Sequence, residues 1–237
     1  MSETSGDPRR GLKAWHHVAK LPPFPVDPAR TALCVIDLTL QQASRTHGVC
    51  RRCIDDGFGD DVAYYLDRVE NTLVPAVGRL LAHFRASGAP IVHTRCVSLR
   101  GDGSDQTWRH RAFGLVCSID SEDAQFLPDV APRAGEIVLN KTGSGMFNST
   151  NAEHLFRNMG VTTLIMTGVF TNSCVETATR DAGDRDFRVL LAEDGCAAMS
   201  PIGHRNALDY LDANFCHVKS TTEILRLLST PSAMAAE

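Results

Sequence analysis

No stretch of this chain approaches the roughly 18 consecutive apolar residues that a membrane-crossing helix needs, so no membrane span is expected. The opening residues, MSETSGDPRRGLK, hold no apolar core, so no secretory leader is expected and the protein reads as cytoplasmic. Excess charge of either sign is also missing. The net charge is −4, from 24 Lys and Arg against 28 Asp and Glu, so neither nucleic acid nor an anionic membrane is expected as a partner. Cys50-Arg-Arg-Cys53 has no second CxxC to pair with, which argues against a zinc ribbon. Its polar, Gly-rich surroundings predict a flexible loop, not the strand–helix junction that dithiol chemistry uses. No internal repeat is visible.

What is present suits an ordinary globular chain: 43% hydrophobic and 22% charged residues over 237 positions, enough for one full core. Residues 1–29 are polar and Pro-rich and predict an irregular arm; 30–228 predict a single domain; 229–237 predict a loose tail. Four of the eight cysteines, Cys34, Cys96, Cys196 and Cys216, lie in or beside apolar runs and are expected to be buried and reduced.

Six short apolar segments predict strands: 31–37, 89–94, 136–140, 163–169, 187–192 and 215–218. Between them, Val62, Leu66, Val69, Leu73, Val77, Leu80 and Phe84 recur at helical spacing, with Pro75 predicting a kink or break. Helices are also predicted over 151–159, 202–214 and 221–228, and for the segment that opens at Cys174. Stretches 38–61 and 95–135 read as long loops. Strands alternating with helices, and apolar throughout instead of on every second residue, predict an α/β protein: a three-layer, Rossmann-like fold with a six-stranded parallel sheet flanked by helices. Such sheets bind ligands beyond the carboxyl ends of their strands. Asp37, Lys141 and Cys174 follow the first, third and fourth strands, so they can meet there despite their separation in sequence.

Ser173-Cys174-Val175-Glu176 fits the S-x-x-E capping box. With Ser173 as N-cap, Cys174 opens the helix, where unpaired N–H groups and the dipole favour a thiolate and could hold an oxyanion.

The text Ala32-Leu-Cys-Val-Ile-Asp37, Asn140-Lys141, Thr167-Gly-Val-Phe-Thr-Asn-Ser-Cys-Val-Glu176, Arg180-Asp-Ala182 and Ala192-Glu-Asp194 resembles the isochorismatase-like cysteine hydrolases over about residues 30–228. The resemblance implies an Asp37–Lys141–Cys174 triad, a cis peptide between Val169 and Phe170, and a homo-oligomer, dimer or tetramer. True isochorismatases lack the nucleophilic cysteine, so Cys174 argues against that reaction. Nicotinamidases of the family usually bind a metal through Asp-x-His and a further His; no such triplet occurs here, so neither a catalytic metal nor another cofactor is expected. Ser144-Gly-Met-Phe-Asn-Ser-Thr150 resembles the ureidoacrylate, biuret and N-carbamoyl amidohydrolase branch. The family's common D-x-Q is Asp37-Leu-Thr39 here, with Gln41 and Gln42 beyond it.

The expected activity is hydrolysis of a C–N bond in a small amide or ureido compound. Cys174 attacks, Lys141 lowers the thiol pKa and orients Asp37, Asp37 shuttles the proton, and the N–H groups of Phe170 and Cys174 hold the oxyanion. Gln41, Trp108, Phe147, Asn148 and Asn172 are candidates to border the substrate, and Arg95 to bind a substrate carboxylate. Two other readings are a metal-dependent nicotinamidase and a non-catalytic redox sensor using Cys174.

Overall fold

A computed structural model describes residues 10–229. Its sheet is built from β1 (Thr31–Ile36), β2 (Ile91–Cys96), β3 (Ile137–Lys141), β4 (Thr163–Val169), β5 (Arg188–Ala197) and β6 (His217–Lys219). All neighbours are parallel, in the order β3-β2-β1-β4-β5-β6. β1 and β4 lie at the centre and every residue in them is buried, which is why they read as unbroken apolar runs.

Helices cover both faces. In chain order they are α1 (Arg10–Val18), α2 (Leu40–Ala43), α3 (Gly48–Asp55), α4 (Gly59–Arg68), α5 (Val74–Ser87), α6 (Trp108–Ala112), α7 (Met146–Ser149), α8 (Ala152–Asn158), α9 (Glu176–Gly183), α10 (Pro201–Leu211) and α11 (Thr221–Ser229). Alternation along the strands sorts the core in two. Leu33, Val35 and Ile165 pack against α4, α5 and α11 through residues such as Leu66, Leu80 and Ile224. Ala32, Cys34, Ile36 and Met166 pack against α8, α9 and α10 through Phe156, Ala178 and Leu208.

At the predicted kink or break the helical backbone runs on: a π-helical turn, Val69–Leu73, joins α4 to α5, the Val74 N–H reaches back to the Val69 carbonyl, and Pro75, in the first turn of α5, has no N–H to continue that ladder.

Three stretches depart from expectation. Residues 38–61 are not a long loop: they hold α2, α3 and the start of α4. Their polarity belongs to the wet side of a helix, where Arg51 and Asp55 pair across one turn at 2.7 Å while Cys50 points into the core. The CxxC therefore sits on α3, with the Cys50 sulfur 4.0 Å from the Gln42 carbonyl, and not in a flexible loop. The segment predicted as an irregular arm contains α1. The predicted 95–135 loop contains α6, capped by the Thr107 side chain. The predicted C-terminal tail, apart from Ser229 at the end of α11, lies outside the described residues.

Candidate active site

β1 leads to β2 on one side and β4 leads to β5 on the other, so the chain leaves the carboxyl ends of β1 and β4 in opposite directions, the place where such sheets bind ligands. Gly168 makes the approach possible. Its φ is +116°, and a Cβ there would lie 2.0 Å from the Ile36 carbonyl oxygen, so no other residue fits between the two strand ends. The peptide joining Val169 to Phe170 is cis. Asp37 turns off β1 at φ +55°, a region that Asp tolerates better than most residues. Its N–H donates to the Thr94 carbonyl at 3.0 Å, and its carbonyl accepts from the Thr39 N–H at 2.8 Å.

The structure brings Asp37, Lys141 and Cys174 together. Lys141 Nζ stands 2.7 Å from Asp37 Oδ2 and donates to Cys174 Sγ at 3.4 Å and to the Gly143 carbonyl at 3.1 Å. Asp37 Oδ1 accepts from Thr94 Oγ1 at 2.9 Å. The Lys141–Asp37 contact is an ion pair without hydrogen-bond alignment at Oδ2. Lys141 and Asp37 are fully buried, and Cys174 keeps 7% of its surface, so Cys174 is the least enclosed of the three.

Burial works against the Lys141 ammonium, but the Asp37 carboxylate beside it outweighs that cost, so its pKa is raised and it stays charged. The Cys174 thiol is also pushed up. Burial is the main cause and Asp37 adds to it, with Lys141 pulling the other way. Burial and Asp37 thus oppose the thiolate that a position at a helix start would favour.

The expected cap is absent as well. Ser173 makes no capping bond; Cys174 lies in a π-helical turn, Thr171–Val175, with Phe170 at its cap position. The Glu176 carboxylate, which a capping box would fold back, pairs with Arg180 at 2.7 Å instead. Ser173 and Val175 N–H groups both bond the Phe170 carbonyl, at 3.0 and 3.3 Å.

Several neighbours were not singled out in the sequence. Thr94 and Cys96 share a face of β2, two residues apart, and the register sets Cys96 beside Lys141. That alternation was the available signal. Cys96 Sγ contacts His110 Nε2 at 3.8 Å and the Gly143 carbonyl at 3.7 Å, and burial raises its pKa to about 12. The buried ring of Tyr65 packs on Phe170 at 5.1 Å.

The predicted substrate contacts divide. Arg95 projects from the opposite face of β2, where its guanidinium donates to Asn140 Oδ1 at 2.7 Å and the Ala124 carbonyl at 3.1 Å. The period-two geometry of the strand thus turns it away from Thr94 and Cys96. Phe147 is buried among Phe156 and Phe187, a core position. Trp108 is 77% exposed on α6. Asn148 is exposed and folds over Gly145, and Gln41 is buried in α2, just after Asp37. Asn172 is exposed on the turn carrying Cys174. Among the described residues, no group of three or more His, Cys, Asp and Glu side chains is placed to hold a metal ion. Among them, no helix is long and apolar enough to cross a membrane.

A wholly parallel sheet with a carboxylate, an ammonium and a thiol in contact where its strand order reverses defines an α/β protein with a thiol-centred site. Residues 31–223 match the family described as Isochorismatase domain, and the chain belongs to that family of hydrolases. It is 26% identical over 235 residues to a ureidoacrylate amidohydrolase, RutB, of Methylobacterium radiotolerans, covering 92% of this chain and 87% of that one. It is 29% identical over 163 residues to an N-carbamoylsarcosine amidase of an Arthrobacter species, covering 66% of this chain and 61% of that one. A crystal structure of a cysteine hydrolase from Pseudomonas syringae pv. phaseolicola 1448A shares the fold with a TM-score of 0.73 at 24% identity, over 89% of this chain and 98% of that chain.

Proposed function

We propose that the chain is a cysteine-dependent amidohydrolase that cleaves a C–N bond of a small amide or of a ureido or carbamoyl compound, releasing ammonia or an amine. The observation that carries this is the single ammonium of Lys141 touching both Asp37, at 2.7 Å, and Cys174, at 3.4 Å, with Lys141 and Asp37 fully buried and Cys174 keeping 7% of its surface. The names of the two enzymes compared above, an ureidoacrylate amidohydrolase and an N-carbamoylsarcosine amidase, support the substrate class.

In this mechanism Cys174 starts as a thiol. Asp37 takes the thiol proton as sulfur attacks the carbonyl carbon, and Lys141 balances the charge that forms on sulfur. The tetrahedral oxyanion is held by the N–H groups of Phe170 and Cys174; Ser173 and Val175 are spent on the Phe170 carbonyl. Collapse breaks the C–N bond, Asp37 gives its proton to the leaving nitrogen, and a thioester remains (a thiocarbamate from a ureido substrate). Water then attacks that carbon, loses a proton to Asp37, and the proton returns to sulfur as the acid departs. Gln41 and Asn172 are proposed to orient the substrate amide at the mouth.

We propose a dimer or tetramer of this chain, a reading supported by Trp108 and Phe113 standing out from the surface. All eight cysteines are free, which supports a reducing, cytoplasmic setting.

An ammonia-release screen over ureides, N-carbamoyl amino acids, biuret-like compounds and nicotinamide tests the function. Release from a ureido or carbamoyl compound that survives chelator treatment is the expected result. Silence across the whole panel rejects it, and chelator-sensitive release from nicotinamide alone replaces it with a metal-dependent amidase.

A further inference from the structure

His204, on the first turns of α10, is buried and bonded on both ring nitrogens. Arg68 Nη2 stands 2.8 Å from its Nε2, and Thr171 Oγ1 stands 2.8 Å from its Nδ1. A guanidinium can only donate, so Nε2 is the bare nitrogen; Nδ1 carries the proton and donates it to Thr171. Burial first, then Arg68 and Arg205, hold the imidazole pKa down at about 4, so the ring stays neutral.

Arg68 is itself fixed. It donates to the Cys196 carbonyl at 2.9 Å and the Glu193 carbonyl at 2.7 Å, both on β5. Thr171 is fully buried and lies three residues before Cys174, in the turn that sets where the sulfur points. Two further contacts press on the same turn. Tyr65, three residues before Arg68 on α4, packs on Phe170 at 5.1 Å. A Cβ on Gly203 would come within 3.1 Å of Asn172 Nδ2, so α10 lies directly against the turn. Neither Arg68 nor His204 hydrogen-bonds Asp37, Lys141 or Cys174.

We infer that His204, its Nδ1–H turned to Thr171 because Arg68 donates to Nε2, is a positioning residue: through Thr171 it fixes the turn that carries Cys174 in the attacking geometry. The inference rests on Cys174 being the nucleophile of the proposed hydrolysis. It differs from a packing role because it requires a hydrogen-bond donor at residue 204 and an acceptor at residue 171, not merely filled volume.

The test uses four variants in two pairs. Thr171→Val keeps shape and loses the acceptor, while Thr171→Ser keeps the hydroxyl. His204→Leu loses the donor, while His204→Asn keeps an N–H near the Nδ1 position. Thr171→Val and His204→Leu are expected to lower kcat about 10- to 100-fold with KM nearly unchanged, since a small displacement of a reacting group costs that much. Amide hydrogen exchange in residues 168–176 is expected to quicken about tenfold in the same two variants. Thr171→Ser and His204→Asn are expected to recover most of both properties. Folded Thr171→Val with wild-type kcat and wild-type exchange would overturn the inference, as would His204→Asn behaving like His204→Leu. Should His204→Leu fail to fold, Thr171→Val decides, because it leaves the Arg68–His204 bond in place. If the wild type hydrolyses nothing, the proposed function has failed, and the exchange arm alone still decides whether His204 fixes the turn.

Discussion

Lys141 Nζ lies 2.7 Å from Asp37 Oδ2 with both side chains removed from solvent, so each charge depends on the other. Taking one away strands its partner in a low dielectric. Lys141→Met is expected to cost about 3–5 kcal/mol in urea unfolding, and Asp37→Leu a similar amount. The double variant Asp37→Leu with Lys141→Met is expected to recover most of that stability and none of the turnover. Additive losses in the double variant would show that the pair is not coupled.

Thr94 donates to the other oxygen of the same carboxylate, at 2.9 Å. Thr94→Val keeps the volume and removes that bond, so Asp37 loses its orientation and not its charge. The expected effect is a fall in kcat of about tenfold, the worth of one hydrogen bond to a charged group. Stability in urea is expected to change by less than in Lys141→Met. An unchanged kcat would remove Thr94 from the site.

The Cys174 thiol is pushed up by burial and by Asp37, so the free protein holds it protonated at neutral pH. Iodoacetamide labelling of Cys174, followed on its own peptide, is therefore expected to quicken about tenfold per pH unit from pH 6 to 8, with no plateau. A rate already flat across that range would mean a resting thiolate.

Away from the site, Glu136 accepts from Arg85 at 2.6 and 3.1 Å and from His93 Nε2 at 2.9 Å. Burial pushes this carboxyl up, but the bonds from Arg85, the Arg133 amide and His93 prevail and hold it at about 2 against an ordinary 4.5. Its stabilisation is present above pH 4.5 and lost as pH falls from there toward 2. His93 is shifted down, chiefly by burial, so its contribution is complete above 6.5 and fades as pH drops below it. Unfolding free energy is expected to decline from near pH 6.5 and more steeply under 4.5. Glu136→Gln is expected to cost about 3 kcal/mol at neutral pH and to flatten the steeper limb.

Much of this was legible in the residues. Six apolar runs became six parallel strands because a doubly covered sheet has no wet face, and Asp37, Lys141 and Cys174 ended where strand order alone puts ligand-binding groups. What failed to show was hidden by polarity or by distance. The Arg51–Asp55 face made α3 look like a loop. Ser173 and Glu176 had the spacing of a cap, but Glu176 had a stronger partner in Arg180. His204 carried no local signal at all, since its meaning lies in Arg68 and Thr171, far away in sequence.

The most direct measurement is acid quenching of the wild-type protein during turnover of whichever ureido or carbamoyl substrate releases ammonia, followed by peptide mass analysis. A mass gain equal to the substrate's acyl portion, carried by Cys174 and absent from Cys174→Ser together with all turnover, is the predicted result. Sustained hydrolysis by Cys174→Ser, or turnover in which Cys174 never carries an adduct and can be replaced without loss, would contradict it.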